Sequence, residues 1–236
     1  MSDDTEIFQA LSRVSTATIT TILLKKGLRN IWMRGVAPLK PGQPRQVGRA
    51  FTLRFIPARE DLATPAAWSS PVSTRAAVEA MAPGSIVVVD AMGNTDAGIF
   101  GDILCERMAR RGVRALITDG AIRDLDGVHA SSLPVWARGV SAPPAIAALT
   151  FVGWDDPVGC GGVAVFPNDL IVADNDGAVV IPDALLPDVL EQGGDQEDLE
   201  AWIVSEVEKG AALPGLYPPS EETLARYQKD RGGRKV

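Results

Sequence analysis

The 236-residue chain has two cysteines, one histidine and no long apolar run, and each shortage removes a class of function. Cys105 and Cys160 make no disulfide framework and lack the spacing of metal ligands. A lone His129 gives no histidine metal cluster. With no G-x-S-x-G ahead of a helix, it also builds no Ser-His-Asp hydrolase. No stretch reaches the roughly 18 apolar residues of a membrane span, and the acidic start MSDDTEIFQALS lacks an apolar core of signal-peptide length. Positive charge is short too. The 23 Lys and Arg against 30 Asp and Glu leave a net charge of −7, which argues against a general nucleic-acid binder, since those need a basic face. The expectation is a cytoplasmic protein with no nucleic-acid and no membrane partner.

What is present is ordinary globular material, 46% apolar and 22% charged, in a chain long enough to bury a real core. Part of the acidic excess lies between Asp183 and Glu208, as a solvated helix would carry it. Ile7, Leu11 and Val14 recur at a helical period over Glu6 to Val14. Ser15-Thr16 can cap a second helix bearing Ile19, Ile22, Leu23 and Leu24, with Gly27 to stop it. A Pro- and Gly-punctuated segment follows. GRAFTLRFI, residues 48 to 56, then alternates as a half-buried strand, with Phe51, Leu53 and Phe55 on one side and Thr52 and Arg54 on the other. Pro57 to Pro71 is a polar excursion of a length that is functional or disordered in most proteins.

Val72 to Met81 reads as helix and Ser85 to Asp90 as strand. Leu133 to Arg138 is a further strand, and Pro143-Pro144 forbids helix at that point. GGVAVFPNDLIVADNDGAVVIP spells two successive hairpins, with turns at Pro167-Asn168 and Asp176-Gly177. Pro182 opens an amphipathic helix, expected to break at Gly193-Gly194 and reach about Lys209. A Pro-rich, then helical, then basic tail closes the chain. Hairpins and helical crossovers mixed without internal repeats give one layered α/β domain, not a doubly wound nucleotide fold.

The middle of the chain, residues 86 to 124, concentrates the polar chemistry. An apolar strand breaks into a loop with Gly93, Gly98 and Gly101, becomes helix from Asp102, and returns through the apolar run Ala115 to Thr118 to Asp119-Gly120. Arg123-Asp124 follows. A right-handed βαβ crossover leaves both strand ends at one sheet edge, where open α/β sheets bind ligands. GNTDAGIFGD fits neither G-x-G-x-x-G nor a P-loop. Its glycines still lead into a helix N-terminus, whose free N–H groups suit a carboxylate or phosphate. Each piece also has a plain reading: an ordinary βα turn with Asp102 as a dipole-favoured acid, an adjacent-residue surface ion pair worth little, His129 as packing, and the cysteines as structural. Asp119 is either a turn residue or a support for the site. Any metal here would be an oxygen-ligand ion, Mg²⁺ or Mn²⁺, keeping most of its waters.

These residues carry a resemblance. STATITTILLKKGL, VGRAFTLRFIPAREDL, GDILCERMARRG, TDGAIRD and LIVADNDGAVVIP together resemble the RraA-like family. That family includes class II 4-hydroxy-4-methyl-2-oxoglutarate / 4-carboxy-4-hydroxy-2-oxoadipate aldolases and regulators of ribonuclease activity. The most specific element is Asp-x20-Arg-Asp, met by Asp102, Arg123 and Asp124. The resemblance implies a single-domain β/β/α sandwich similar to the swivelling phosphohistidine domain. It would span residues 1–236, with helical N- and C-terminal extensions, the latter from about residue 183, and assemble as a homotrimer or hexamer.

It further implies a Mg²⁺- or Mn²⁺-dependent lyase that releases pyruvate from a 4-hydroxy-2-oxo acid or oxaloacetate through a metal-stabilised enolate. Asp124 would be the metal ligand, and Arg123 would bind the keto or enolate oxygen. Backbone N–H groups of Gly101, Asp102, Ile103 and Leu104 would hold the pyruvyl carboxylate, and Asp102 would move a proton through a water. The physics agrees, because a divalent ion and a guanidinium are fixed electrostatics for a charge developing on one oxygen. No Schiff-base lysine lies in the central unit. The chain departs from the family pattern at TITTILLKKG, where many members carry an acid, and in its longer C-terminus. Two alternatives stay open: a non-catalytic regulator of ribonuclease activity, and a related lyase or hydratase of sugar-acid metabolism.

Overall fold

A computed structural model describes residues 2–233. Helix α1 (Ser2–Leu11) is followed by α2 (Thr16–Lys25). Ser15 caps α2 with its hydroxyl, accepting from the Thr18 N–H at 3.1 Å. Two acids from far along the chain, buried Asp174 and half-buried Glu197, secure the same helix start. Asp174 accepts from the Thr16 N–H (2.9 Å) and hydroxyl (2.6 Å), and Glu197 accepts from the Ser15 N–H (2.7 Å). Burial works against ionisation of Glu197, but the bonds from Ser15 and Thr18 outweigh it and hold the carboxyl below its ordinary range.

Strand β1 (Ala37–Pro38) precedes the long β2 (Gln46–Pro57), helix α3 (Thr74–Ala80) and β3 (Ser85–Asp90). Next come α4 (Asp102–Arg110), β4 (Ala115–Thr118), β5 (Ala121–Ile122), α5 (Leu125–Ala130), β6 (Val135–Ala137) and β7 (Gly139–Val140). The chain continues through β8 (Leu149–Trp154), β9 (Val158–Cys160), β10 (Val163–Val165), β11 (Leu170–Asp174) and β12 (Gly177–Ile181), and ends in α6 (Leu186–Glu208) and α7 (Glu221–Gly233).

The eight-stranded main sheet runs β1-β6-β4-β3-β2-β11-β12, with β8 also on β2. Its centre, β2-β3-β4-β6, is parallel. Strand β2 serves three neighbours: β3 along one side, β11 beside Gln46 to Arg49, and β8 beside Leu53 to Pro57, with a bulge at Arg54/Phe55. Trp32 bridges to Val179 of β12, bringing the two ends of the sheet together. The sheet is nearly closed.

Because both faces are covered, β3 is a continuous apolar run, as a buried parallel strand must be. Val87 and Val89 face a core with Met81 of the α3 end and Cys105 and Met108 of α4. Ile86 and Val88 face Val158, Val163 and Val165 of a β9–β10 ribbon. Ribbon, sheet and helices are the three layers of the expected β/β/α sandwich. A third core joins α1 and α2 to β11, β12 and Val189 of α6.

Three expectations are corrected. Strand β10 pairs backwards with β9, not forwards with β11, because β11 is taken by β2 and β12. Only the β11–β12 hairpin forms as expected. Strand β2 is half-buried only in part: Arg54 is exposed as expected, but Thr52 is fully buried, its hydroxyl donating to the Asp156 carbonyl at 2.7 Å, since the segment entering the ribbon covers that position. Helix α6 runs 23 residues without a break at Gly193-Gly194.

Packing explains the last point. A Cβ at Gly193 would lie 2.8 and 2.9 Å from the methyls of buried Val14, whereas Gly194 faces open space. The two glycines are therefore expected to respond oppositely to alanine. Gly194→Ala should stabilise by about 0.5–1 kcal/mol through helix propensity. Gly193→Ala should destabilise by about 1 kcal/mol, because overpacking costs about 1–3 kcal/mol and outweighs the same gain. Urea denaturation of both variants checks the pair of signs.

Candidate functional site

The glycine loop after β3 does not stop at the sheet edge. It runs beside the stretch leaving β4, with the Ile99 N–H donating to the Ala121 carbonyl (2.9 Å) and the Arg123 N–H to the Phe100 carbonyl (3.0 Å). That lateral pairing sets Gly101-Asp102 next to Arg123-Asp124. Gly101 is the N-cap of α4 and offers no side-chain cap. Its missing side chain matters more: a Cβ there would fall 2.4 Å from Asp124 Oδ2 and 3.3 Å from Arg123 Cγ. Asp124 sits in the left-handed region (φ 53, ψ 48), which aspartate tolerates better than most residues. It is the N-cap position of α5, whose existence the sequence reading missed.

Arg123 Nε donates to Asp124 Oδ2 at 3.1 Å, and both side chains are partly exposed. Asp102 turns one oxygen back on its own helix, Oδ1 accepting from the Ile103 N–H at 2.7 Å. Its Oδ2 lies against α5, where Gly127 leaves the room: a Cβ there would come within 2.7 Å of that oxygen. Of the four backbone N–H groups expected to meet a carboxylate, that of Ile103 is thus already engaged. Gly101, Asp102, Ile103, Leu104, Arg123 and Asp124 all line one open cavity of about 280 Å³.

Sequence reasoning missed two further walls of that cavity, Trp68 and Arg75. Trp68 belongs to a short 3₁₀ turn, Pro65–Ser69, inside the polar excursion, and Arg75 to α3. The length of the excursion was the available signal.

The remaining candidates fall elsewhere. His129 lines a separate cavity with Lys40, Gln43 and Leu133, and its Nε2 is buried without a hydrogen-bond partner. Asp119 is a buried clamp, accepting from the Ala91 N–H (2.9 Å) and the Gly161 N–H (3.1 Å). Burial pushes its carboxyl above the ordinary range despite those bonds. Cys105, one turn inside α4, is pushed up to about 12 by burial, with the Asp102 charge adding to it, so it is no thiolate nucleophile at neutral pH. Burial likewise raises Cys160 well above the usual thiol value. Among the described residues no single helix is long and apolar enough to cross a membrane.

A nearly closed mixed sheet that sets two carboxylates and a guanidinium at the start of a helix defines the class, an α/β protein with a layered sheet. The chain belongs to the RraA-like family: the family model described as Aldolase/RraA matches residues 14–180. Among curated relatives, a protein of Halalkalibacterium halodurans named "Putative 4-hydroxy-4-methyl-2-oxoglutarate aldolase" is 37% identical over 113 residues, 47% of this chain and 52% of that protein. Protein DlpA of Legionella pneumophila is 25% identical over 79% of this chain and 29% of its own length. The chain thus spans about half or less of these two relatives. Among solved structures, Streptomyces coelicolor RraAS2, described as an unusual member of the RNase ES inhibitor RraA protein family, is 34% identical with a TM-score of 0.75, covering 84% of this chain and 94% of that one. An uncharacterised Pseudomonas syringae protein shares the fold at a TM-score of 0.77 and 24% identity, over 90% and 97% of the two chains.

Proposed function

We propose that the chain is a divalent-metal-dependent lyase that cleaves a 4-hydroxy-2-oxo acid or oxaloacetate to pyruvate, working as a homotrimer or hexamer. The observation that carries this reading is the convergence of Asp102, Arg123, Asp124 and the α4 N-terminus on one cavity. The aldolase names borne by several relatives support the reaction class.

The donor set suits the ion. Among the described residues no three His, Cys, Asp or Glu side chains gather as a ligand cluster, so a soft or fully protein-caged metal has no home. Asp124 offers a hard oxygen, seated in the space that a side chain at Gly101 would fill. That fits Mg²⁺ or Mn²⁺ held by one or two carboxylates and otherwise by water. When bound, such an ion supplies Lewis-acid polarisation of the substrate's keto group.

The chain's own groups do the rest. The α4 N-terminus orients the pyruvyl carboxylate, its dipole favouring an anion, though the substrate must share or displace the Asp102–Ile103 bond. The Arg123 guanidinium donates to the keto oxygen as it gains charge. Asp102 exchanges a proton with the substrate through a water. Retro-aldol cleavage and β-decarboxylation both leave the same three-carbon enolate, so one arrangement serves both.

The test is pyruvate release by the purified protein from oxaloacetate and from 4-hydroxy-2-oxoglutarate, with Mg²⁺ or Mn²⁺ and with a chelator. Absence of pyruvate from both substrates with both ions overturns the reading. The likeness to RraAS2 favours one second reading, a non-catalytic regulator of ribonuclease activity. In that case, ribonuclease binding by the Asp124→Ala variant would equal that of the wild type.

A further inference from the structure

The cavity holds a second cation that the chemistry above leaves idle. Arg75 projects from the first turn of α3, and its guanidinium carbon lies 5.2 Å from the ring centroid of Trp68. Both residues line the same cavity as Asp102, Arg123 and Asp124. The acid one turn on that could pair with it is Glu79, four residues later. Glu79, however, is engaged by Arg107 through two bonds of 2.8 Å and by Arg111 at 3.1 Å. Among the described residues Arg75 forms no salt bridge. The indole lies beneath the guanidinium, and among the described residues no hydrogen bond occupies its N–H groups. Arg123, by contrast, already spends Nε on Asp124.

From this geometry we propose that Arg75, oriented by Trp68, is the specificity determinant of the site. It binds a second carboxylate, carried by the half of the substrate distal to the pyruvyl group. Discrimination between substrates with a charged and an uncharged distal half is then set at this residue. The polar excursion that carries Trp68 acquires a role by the same step: it supplies the platform that points the fork into the cavity. The proposal rests on the functional reading above for its substrate skeleton, and the experiment separates the two.

Pyruvate release from 4-hydroxy-2-oxoglutarate and from 4-hydroxy-2-oxopentanoate is measured for the wild type, Arg75→Met, Arg75→Lys and Trp68→Leu. A charge-assisted, partly bidentate contact is worth about 10- to 100-fold in kcat/KM. Arg75→Met should therefore lose about that factor more on the dicarboxylate than on the monocarboxylate, chiefly in KM. Arg75→Lys should recover part of it, and Trp68→Leu should lose an intermediate amount. Calorimetric titration with glutarate and with butyrate forms a second arm that needs no turnover. Glutarate binding should be weakened by Arg75→Met by a similar factor, and butyrate binding should not follow it. Equal changes for both ligands, or none, overturn the role of Arg75. Wild-type protein that binds glutarate through Arg75 yet releases no pyruvate overturns the lyase reading and leaves the anion subsite standing.

Discussion

Arg123→Met is expected to lower kcat/KM for pyruvate release by about 10²–10³-fold while leaving the fold intact. The magnitude is that of removing one fixed donor from an oxygen that gains charge in the transition state. The fold survives because almost nothing structural depends on the guanidinium. Its one ion pair among the described residues is with the adjacent Asp124, partly exposed, and such pairs contribute less than about 1 kcal/mol. What ties residue 123 into the structure is its backbone, whose N–H donates to the Phe100 carbonyl whatever the side chain. Methionine keeps the length and the apolar stem. Lysine restores the charge but not the planar fork, so Arg123→Lys should recover only part of the loss. Steady-state kinetics beside thermal melting separate the two effects. A methionine variant within threefold of wild type, or one that melts many degrees lower, contradicts the assignment.

The same separation between backbone and side chain explains what could be read in advance. β3 and β4 match the expected Ser85 to Asp90 and Ala115 to Thr118, and α4 begins at the expected Asp102, because each carries its own signal. An unbroken apolar run of about four to six residues bounded by turns suits a strand buried on both faces, and a glycine before an acid suits a helix start. Strands β5 and β7, two residues each, have no period to detect, and α5 is a helix of six residues whose N-cap adopts a left-handed conformation. Their positions follow from the pairing of distant segments. The partner of β10 was misread for a similar reason. A turn sequence at Pro167-Asn168 announces a reversal, but which strand receives the returning chain depends on β2 already occupying the edge of β11. Trp68 and Arg75 were invisible because their meeting is set by how α3 lies against the excursion, and no spacing encodes it.

Within the site, the spacing of Asp102, Arg123 and Asp124 was legible, and the reason that the spacing works was not. Twenty intervening residues allow one helix and one strand, but bringing the two ends together requires the glycine loop to lie alongside Ala121 to Arg123. A βα loop normally turns straight into its helix. This one first makes an extra lateral run, visible in the bridges from Gly98 to both Ala121 and Pro144. The site is therefore as much a property of that loop as of the charged residues it collects.

That dependence makes Gly101→Ala the second large expected effect, about 10²-fold in kcat/KM, even though every charged group is retained. The backbone itself accepts alanine, since φ is −119° and ψ −172° there. The obstacle is space. An alanine Cβ would sit 2.4 Å from Asp124 Oδ2, far inside contact distance, with Arg123 Cγ at 3.3 Å. Asp124 is held in place by α5, whose first turn includes the Val128 N–H donating to the Asp124 carbonyl at 2.9 Å, so the carboxylate and not the backbone must give way. Misplacing a reacting or ion-holding group by about 1 Å costs about 100-fold. Because Asp124 is the group proposed to hold the ion, the concentration of Mg²⁺ or Mn²⁺ needed for half-maximal activity should rise as well. A merely destabilised helix start would not move that quantity. Stability should fall by about 1 kcal/mol, since alanine is a poorer N-cap than glycine. Kinetics across an ion titration, with melting as the control, decide the matter. A Gly101→Ala variant with an unchanged rate and ion requirement would show that the Asp124 oxygen beside it does no chemical work.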